Sequence, residues 1–258
     1  MESQGGVGLA CAFRDTTGEL ADGLAALAGP PGGRPFAHVG VSVDEGTHPR
    51  TRAALATLGA RARVAARAHE LVGRERRLAL GLAREDGAGT VVAGDVDHVL
   101  RWLRAAPDEV RHAVDRARAE GVDCLVVGRP AVAFAGFPAA LGRTEPLVNE
   151  AYQRLTGHAW DLLSSVRVLS GRAADLIVER STVDTVATDV DWPLLCASAG
   201  LRVAYEEAAH LTYVEGNALD DGEAGEPSPG DARAWLLRLR VCGWMSDAMA
   251  AYLPAAPA

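Results

Sequence analysis

The chain has no lysine; all 26 of its basic residues are arginine. That excludes every mechanism with an obligatory lysine: phosphate binding by a G-K-[ST] loop, pyridoxal Schiff bases, lysine-assisted nucleotidyl transfer and kinase chemistry of the usual type. Positive charge is also short overall. The 34 acidic residues leave a net charge of −8, so the basic footprint of a general nucleic-acid binder is missing. The four cysteines, Cys11, Cys124, Cys196 and Cys242, form no C-x-x-C pair. A zinc ribbon or thioredoxin-like motif is therefore out, and free thiols in a reducing cytoplasm are expected. The seven histidines contain no H-x-x-x-H pair. No G-x-S-x-G surrounds Ser164 or Ser165, and no G-x-G-x-x-G follows the first apolar run, so serine hydrolysis and dinucleotide-dependent dehydrogenation lack their signatures. Residues 1–8 have neither the basic nor the apolar region of a signal peptide, and no stretch approaches the ~20 apolar residues of a membrane span. A cytoplasmic protein is expected, at most peripheral at a membrane.

What is present is a folded α/β chain. At about 150 residues per domain, 258 residues suggest one large domain with a small appendage. Short apolar runs alternate with helical patterns. Strands are expected at 8–13, 37–43, 63–66, 90–93 and 124–127, with helices near 18–27, 49–58, 73–84 and 99–103, and from Asp108, placed as a cap, to Glu120. Such alternation implies βαβ units and a mainly parallel sheet. Continuous apolar runs fit strands covered on both faces. After a loop over 130–144, helices are expected at 145–155, 171–179 and 191–199, a strand or loop over 160–168, and a short strand at 202–205. Residues 220–231 read as an acidic Gly/Pro-rich linker. A final amphipathic helix is expected over 232–253, with Trp235, Leu239, Cys242, Met245, Met249 and Tyr252 on one apolar stripe.

Ligands of open parallel sheets bind outside the carboxyl ends of the strands. That rule selects Asp15, Asp44, Glu45, Asp95, Asp97 and Arg129, each just after a predicted strand. Asp95-Val96-Asp97 is the sharpest local signal. Two carboxylates at i and i+2 on an irregular turn can converge on Mg²⁺ or Mn²⁺ and leave positions for phosphate oxygens; a pair of solvated turn aspartates is the plainer alternative.

Order and spacing carry more than any single motif. Val43-Asp44-Glu45-Gly46-Thr47, then Gly73-Arg74 and Arg77, then Gly94-Asp95-Val96-Asp97 resemble the nucleotide-binding half of GT-A fold glycosyltransferases of family 2, with their V-D-D-G-S strand end, G-x-x-x-A-R-N-like helix and D-x-D. Val126-Val127-Gly128-Arg129 is similar to the V-x-G-S-R strand end of the dolichyl-phosphate-mannose synthase branch. Asn149, Gly157 and Asp161 to Ser170 resemble its N…G…D-x-x-S-G-F-R-x-x-S-R stretch, and Thr188 to Leu194 with Ala199 to Tyr205 resembles E-D-x-E-L…R-A-G-Y-R-I. The likeness covers about residues 7–215. Departures are Phe13-Arg14-Asp15 for P-x-Y-N-E, Glu45 for the second Asp, Val96 for Ala, Ser165-Val166 for S-G or G-F, and Thr188 for Glu.

The resemblance implies a three-layer GT-A-like domain over 1–219, its nucleotide-binding half over about 7–129 and its acceptor half over about 130–219. It implies a metal-dependent, inverting transfer from a nucleotide-diphosphate sugar to an acceptor hydroxyl or phosphate. In that scheme Asp95 and Asp97, with His210 as third ligand, hold Mn²⁺ or Mg²⁺. Asp15, Asp44, Glu45 and Asp95 face base, ribose or sugar, and Arg77 and Arg129 reach phosphates unless they form ion pairs. Asp189 or Asp191 deprotonates the acceptor; the alternatives are an N-cap for Asp189 and a helix-dipole partner for Asp191. The acceptor, a small molecule or a polyprenyl phosphate, stays open, as does a homodimer through the C-terminal helix. A catalytically silent GT-A-like binding or assembly protein is the second reading. A sugar-nucleotide pyrophosphorylase ranks lower, because its Gly-rich, lysine-containing signature is absent.

Overall fold

The computed structural model describes residues 5–28, 34–65, 69–211 and 232–253. Among the described residues seven strands form one sheet: β1 (Val7–Phe13), β2 (His38–Asp44), β3 (Arg61–Ala65), β4 (Thr90–Ala93), β5 (Cys124–Gly128), β6 (Arg167–Ser170) and β7 (Val203–Glu207). Their order is β3-β2-β1-β4-β6-β5-β7. All pairings are parallel except those of β6, which runs antiparallel between β4 and β5. The central strands are buried along almost their whole length, which is why Leu9-Ala10-Cys11-Ala12-Phe13 and Cys124-Leu125-Val126-Val127 read as unbroken apolar runs.

Nine helices are described: α1 (Leu20–Ala26), α2 (Pro49–Leu58), α3 (Val72–Glu85), α4 (Val96–Ala105), α5 (Pro107–Ala119), α6 (Ala139–Thr156), α7 (Gly171–Arg180), α8 (Thr188–Ser198) and α9 (Ala232–Ala250). They split into two layers. Leu24 of α1, Leu55 of α2, Trp102 of α4 and Val114 of α5 pack on one sheet face; Leu80 of α3, Tyr152 of α6, Ile177 of α7, Val190 of α8 and Met245 of α9 pack on the other. Helix α3 lies almost flush on the sheet: a Cβ added at Gly40 would meet the Ala79 carbonyl at 2.3 Å.

Several expectations need correction. Residues 130–144 are not a loop: a 3₁₀ turn spans Ala131–Gly136 and α6 starts at Ala139, with Pro146 inside the helix. Asp108 is not a cap, because α5 begins at Pro107, whose missing N–H suits the first helical position. Helix α8 starts at Thr188, three residues before the expected boundary, so Asp189 lies in its first turn rather than capping it. On α9, Leu239 is exposed while Met245 and Met249 are buried against α6 and α8, and Cys242 is partly buried. The acidic linker expected over 220–231 lies outside the described residues.

Candidate functional site

The carboxyl ends of β1, β2 and β4 open onto one edge of the sheet, and the antiparallel β6 brings its first residue to the same edge, since Arg167 pairs with Ala93. Asp95 follows β4 there. Its backbone N–H donates to Ser165 Oγ at 3.0 Å, and its side chain is 37% exposed. Ser165 has φ +62°, the left-handed region, which costs a non-glycine residue about 1–2 kcal/mol. Ser165 falls at the glycine of the D-x-x-S-G-F pattern, and its hydroxyl holds the Asp95 amide.

The centre of the edge is Arg76. It is buried on α3, and its guanidinium joins two carboxylates: Nη2 donates to Asp95 Oδ1 at 2.7 Å and Nη1 to Asp189 Oδ1 at 2.9 Å, with Thr188 Oγ1 at 3.0 Å. Local packing sets this geometry. Gly73 lets α3 approach the 183–188 segment, where a Cβ would meet the Thr185 carbonyl at 2.3 Å. The Gly73 N–H donates to the Asp184 carbonyl at 2.6 Å, and Arg77 donates to the Val183 carbonyl and to Asp184. Arg167, fully buried, donates to the carbonyls of Leu162 and Asp189 at 2.6 and 2.8 Å and so fixes the start of α8. Burial pushes the Asp189 carboxyl above its ordinary value and the neighbouring Asp95 pushes the same way, against the pull of Arg76 and Arg167. The Arg76 guanidinium is held charged: burial disfavours that form, but Asp189 and Asp95 outweigh it.

Other predicted residues serve different roles. Asp97 lies in the first turn of α4 with its side chain buried, paired with Arg101 at 2.6 Å and with His98 at 3.7 Å. Asp44 ends β2, accepts from the Gly46 N–H at 2.7 Å and pairs with Arg14 at 3.3 Å; Glu45 beside it is exposed. Asp15 is turned inward. It accepts from Thr51 Oγ1 at 2.5 Å and from the amides of Gly18 and Leu20 at 2.8 and 3.1 Å. Burial raises its carboxyl, but these bonds prevail and hold it below the usual range. Between the tips of β1 and β2, beside Asp44 and Glu75, a cavity of about 10 Å³ remains.

Four predicted residues have partners elsewhere in the fold. Arg77 is spent on Asp184 and the Val183 carbonyl, as above. Arg129 is buried in a charge cluster, bidentate to Asp161 at 2.7 and 2.9 Å and bonded to Glu145 at 2.7 Å, between Phe134 and Phe137; a phosphate would have to displace two carboxylates. Asp191 accepts from Ser181 at 2.7 Å and from Tyr252 at 2.7 Å, so its carboxylate ties α8 to the C-terminal end of the chain. His210 pairs with Glu109 at 2.8 Å, and Glu109 also accepts from Trp102 at 2.9 Å.

Among the described residues, no three His, Cys, Asp or Glu side chains converge as a metal-ligand group. The donor chemistry of Asp95 nevertheless fits a hard divalent cation of the Mg²⁺ type, which commonly takes one or two carboxylates and completes its shell with water and substrate phosphates. Asp97 would have to turn from Arg101 to join it. Sequence reasoning missed Arg76, Ser165 and Arg167. The only signal for Arg76 was its place one helical turn from Gly73, in the segment already matched to a nucleotide-binding helix.

No protein-family model matches the chain, and no curated protein matches it. Solved structures do. Glucosyl-3-phosphoglycerate synthase from Mycobacterium tuberculosis, in complex with phosphoglyceric acid, superposes with a TM-score of 0.59 at 13% identity, over 97% of this chain and 81% of that one. The same synthase in complex with Mn²⁺, UDP-glucose and phosphoglyceric acid gives a TM-score of 0.53 at 13% identity, with 97% and 81% covered. A mycobacterial protein gives 0.54 at 12% identity, with 97% and 76% covered. The chain therefore has the three-layer GT-A-like fold of these structures. No helix among the described residues is long and apolar enough to cross a membrane.

Proposed function

We propose that this chain transfers a sugar from a nucleotide-diphosphate donor to the hydroxyl of a small polar acceptor. The observation that carries the reading is the meeting of Asp95 and Asp189, from distant parts of the sequence, on one guanidinium at the carboxyl edge of the sheet. The similar synthase, seen with Mn²⁺, UDP-glucose and phosphoglyceric acid, supports the donor class and favours a small phosphorylated acceptor over a polyprenyl phosphate.

In this reading Asp95, with Asp97 released from Arg101, holds Mn²⁺ or Mg²⁺, whose charge would neutralise the leaving diphosphate. Asp44 at the tip of β2 accepts hydrogen bonds from base or ribose. Asp189 takes the proton of the acceptor hydroxyl. Its burial suits it to that task, because a carboxylate pushed upward holds a proton better than a solvated one. Direct attack with Asp189 as base inverts the anomeric centre. Asp191 plays no part in proton transfer; it braces α8. The domain over 1–219 is the catalytic unit, and α9 is packed on it through α6 and α8. A second copy on the exposed side of α9 and a cytoplasmic location complete the reading.

A second reading is favoured by specific contacts. Asp97 is paired with Arg101, Arg129 is locked in its cluster, and the cavity between β1 and β2 has room for about one water. These suit a GT-A-like protein that has lost transfer and acts by binding or assembly. A thermal-shift panel of UDP-, GDP- and dTDP-sugars, with and without Mn²⁺, separates the two. Transfer predicts metal-dependent stabilisation by one nucleotide, abolished in Asp95→Asn. A well-folded protein that responds to no nucleotide would sink the transfer reading and leave the silent one.

A further inference from the structure

Arg76 stands where a cation would be needed and is already a cation. Its side chain is 6% exposed and rides on a helix that cannot shift easily: α3 is seated against Gly40 of β2, and its first two turns are stapled to the 183–188 segment through Gly73 and Arg77. Both carboxylates reach it by one oxygen, Oδ1 of Asp95 and Oδ1 of Asp189. The Arg76 Nε is buried and makes no hydrogen bond, so the side chain is held by those two acids and Thr188.

We infer that Arg76 is a positioning residue that competes with the divalent cation for Asp95 and couples that carboxylate to Asp189. The inference rests on the transfer reading. A cation approaching Asp95 meets a fixed positive charge 2.7 Å from the oxygen it needs, and like charges at that range repel strongly in a partly dry site. A nucleotide diphosphate arriving with the metal brings negative charge that offsets the repulsion. Metal and donor therefore bind together and poorly apart. Because one guanidinium serves both acids, a metal-bound donor arriving at Asp95 changes the charge balance that Asp189 faces.

The test is Mn²⁺ binding followed by the electron paramagnetic resonance of the free ion, on wild type, Arg76→Gln and Arg76→Lys, first without nucleotide and then with UDP. Removing the resident charge should tighten Mn²⁺ binding without nucleotide by about tenfold or more, as expected for deleting a charge in contact with a ligand carboxylate. The enhancement by UDP should shrink in step. Arg76→Lys should fall between, since an ammonium is a point charge that cannot fork to two carboxylates. Folded variants that bind Mn²⁺ as wild type does would overturn the inference, and if Arg76→Gln does not fold, Arg76→Lys decides by the same criterion. Failure of wild type to bind any nucleotide with metal would sink the transfer reading instead, while the Mn²⁺-only comparison would still judge the role of Arg76.

Discussion

Replacing Arg129 with methionine tests whether that residue is a buried brace or a phosphate ligand. The change keeps most of the apolar stem and removes the charge. In the native protein Arg129 is almost fully buried, and its guanidinium neutralises Asp161 through two bonds and Glu145 through one. Removing one member of a buried ion cluster leaves an uncompensated charge, a loss of about 3–5 kcal/mol. Loss of the contacts to Phe134 and Phe137, at 5.0 and 4.9 Å, adds about 0.5–1 kcal/mol. At about 2–4 °C per kcal/mol for a chain of this size, the melting midpoint should fall by about 7–24 °C. Urea and thermal unfolding followed by circular dichroism measure it.

The pH dependence carries a sign. Burial pushes Asp161 upward, but its bonds to Arg129 prevail and hold it below the ordinary carboxylate value; its pairing therefore stabilises the fold above the unfolded value and is lost as pH falls through the folded one. Glu145 is raised by burial despite Arg129, so its contribution runs the other way and fades as pH rises through its folded value. Without Arg129 both acids move up and take protons readily, so the deficit of Arg129→Met should shrink on acidification from pH 7 to about 5. A deficit below about 1 kcal/mol, together with lost nucleotide affinity, would refute the brace and restore the phosphate role.

Other substitutions probe single contacts. Gly40→Ala should destabilise by at least about 1–3 kcal/mol in urea unfolding, because the new methyl meets the backbone of α3 at 2.3 and 2.4 Å and backbone cannot give way cheaply. Thr51→Val removes the 2.5 Å bond to Asp15 and should weaken the fold by about 1.5–3 kcal/mol at pH 7. Because Asp15 is held low in the fold, the difference should shrink as pH falls through its folded value, where the carboxyl gains its proton. Tyr252→Phe deletes a donor to Asp191 and should cost about 1–3 kcal/mol without changing nucleotide binding by calorimetry. Asp189→Asn should leave donor affinity within about threefold while lowering kcat by about 10²–10⁴-fold; equal loss of affinity and turnover would remove it from the role of base.

Much of the architecture could be read along the chain. The apolar runs of β1, β4 and β5 announce strands covered on both faces, Pro49 opens α2, and Gly94-Asp95 marks the end of β4, because these signals are local. Boundaries depart from the local pattern where a local rule meets a tertiary one. Pro146 argues against a helix interior, yet α6 runs through it because its apolar residues Val148 and Tyr152 are buried in the core layer shared with α9 and the sheet. The strand after the loop at 157–166 was blurred because β6 is short, antiparallel and contains a buried arginine.

The site divides along the same line. Asp189 is singled out only by the resemblance of residues 188–194, whereas the position of Asp44 and Asp95 at strand ends, where parallel sheets bind ligands, follows from the order of strands and helices alone. Which acids are available there does not. Asp189 and Asp191 look interchangeable on paper, but on a helix of 3.6 residues per turn two positions apart face different directions, and the fold gives one to Arg76 and the other to Tyr252. Arg77 and Arg129 carry the same charge as Arg76 and lie beside equally suggestive motifs. Their partners from distant segments, Asp184 for one and Asp161 with Glu145 for the other, are set by the tertiary structure and not by those motifs. Sequence spacing determined which elements form and where the ligand edge falls; the pairing of charges across the fold, at distances no local pattern encodes, determined what each residue at that edge is left to do.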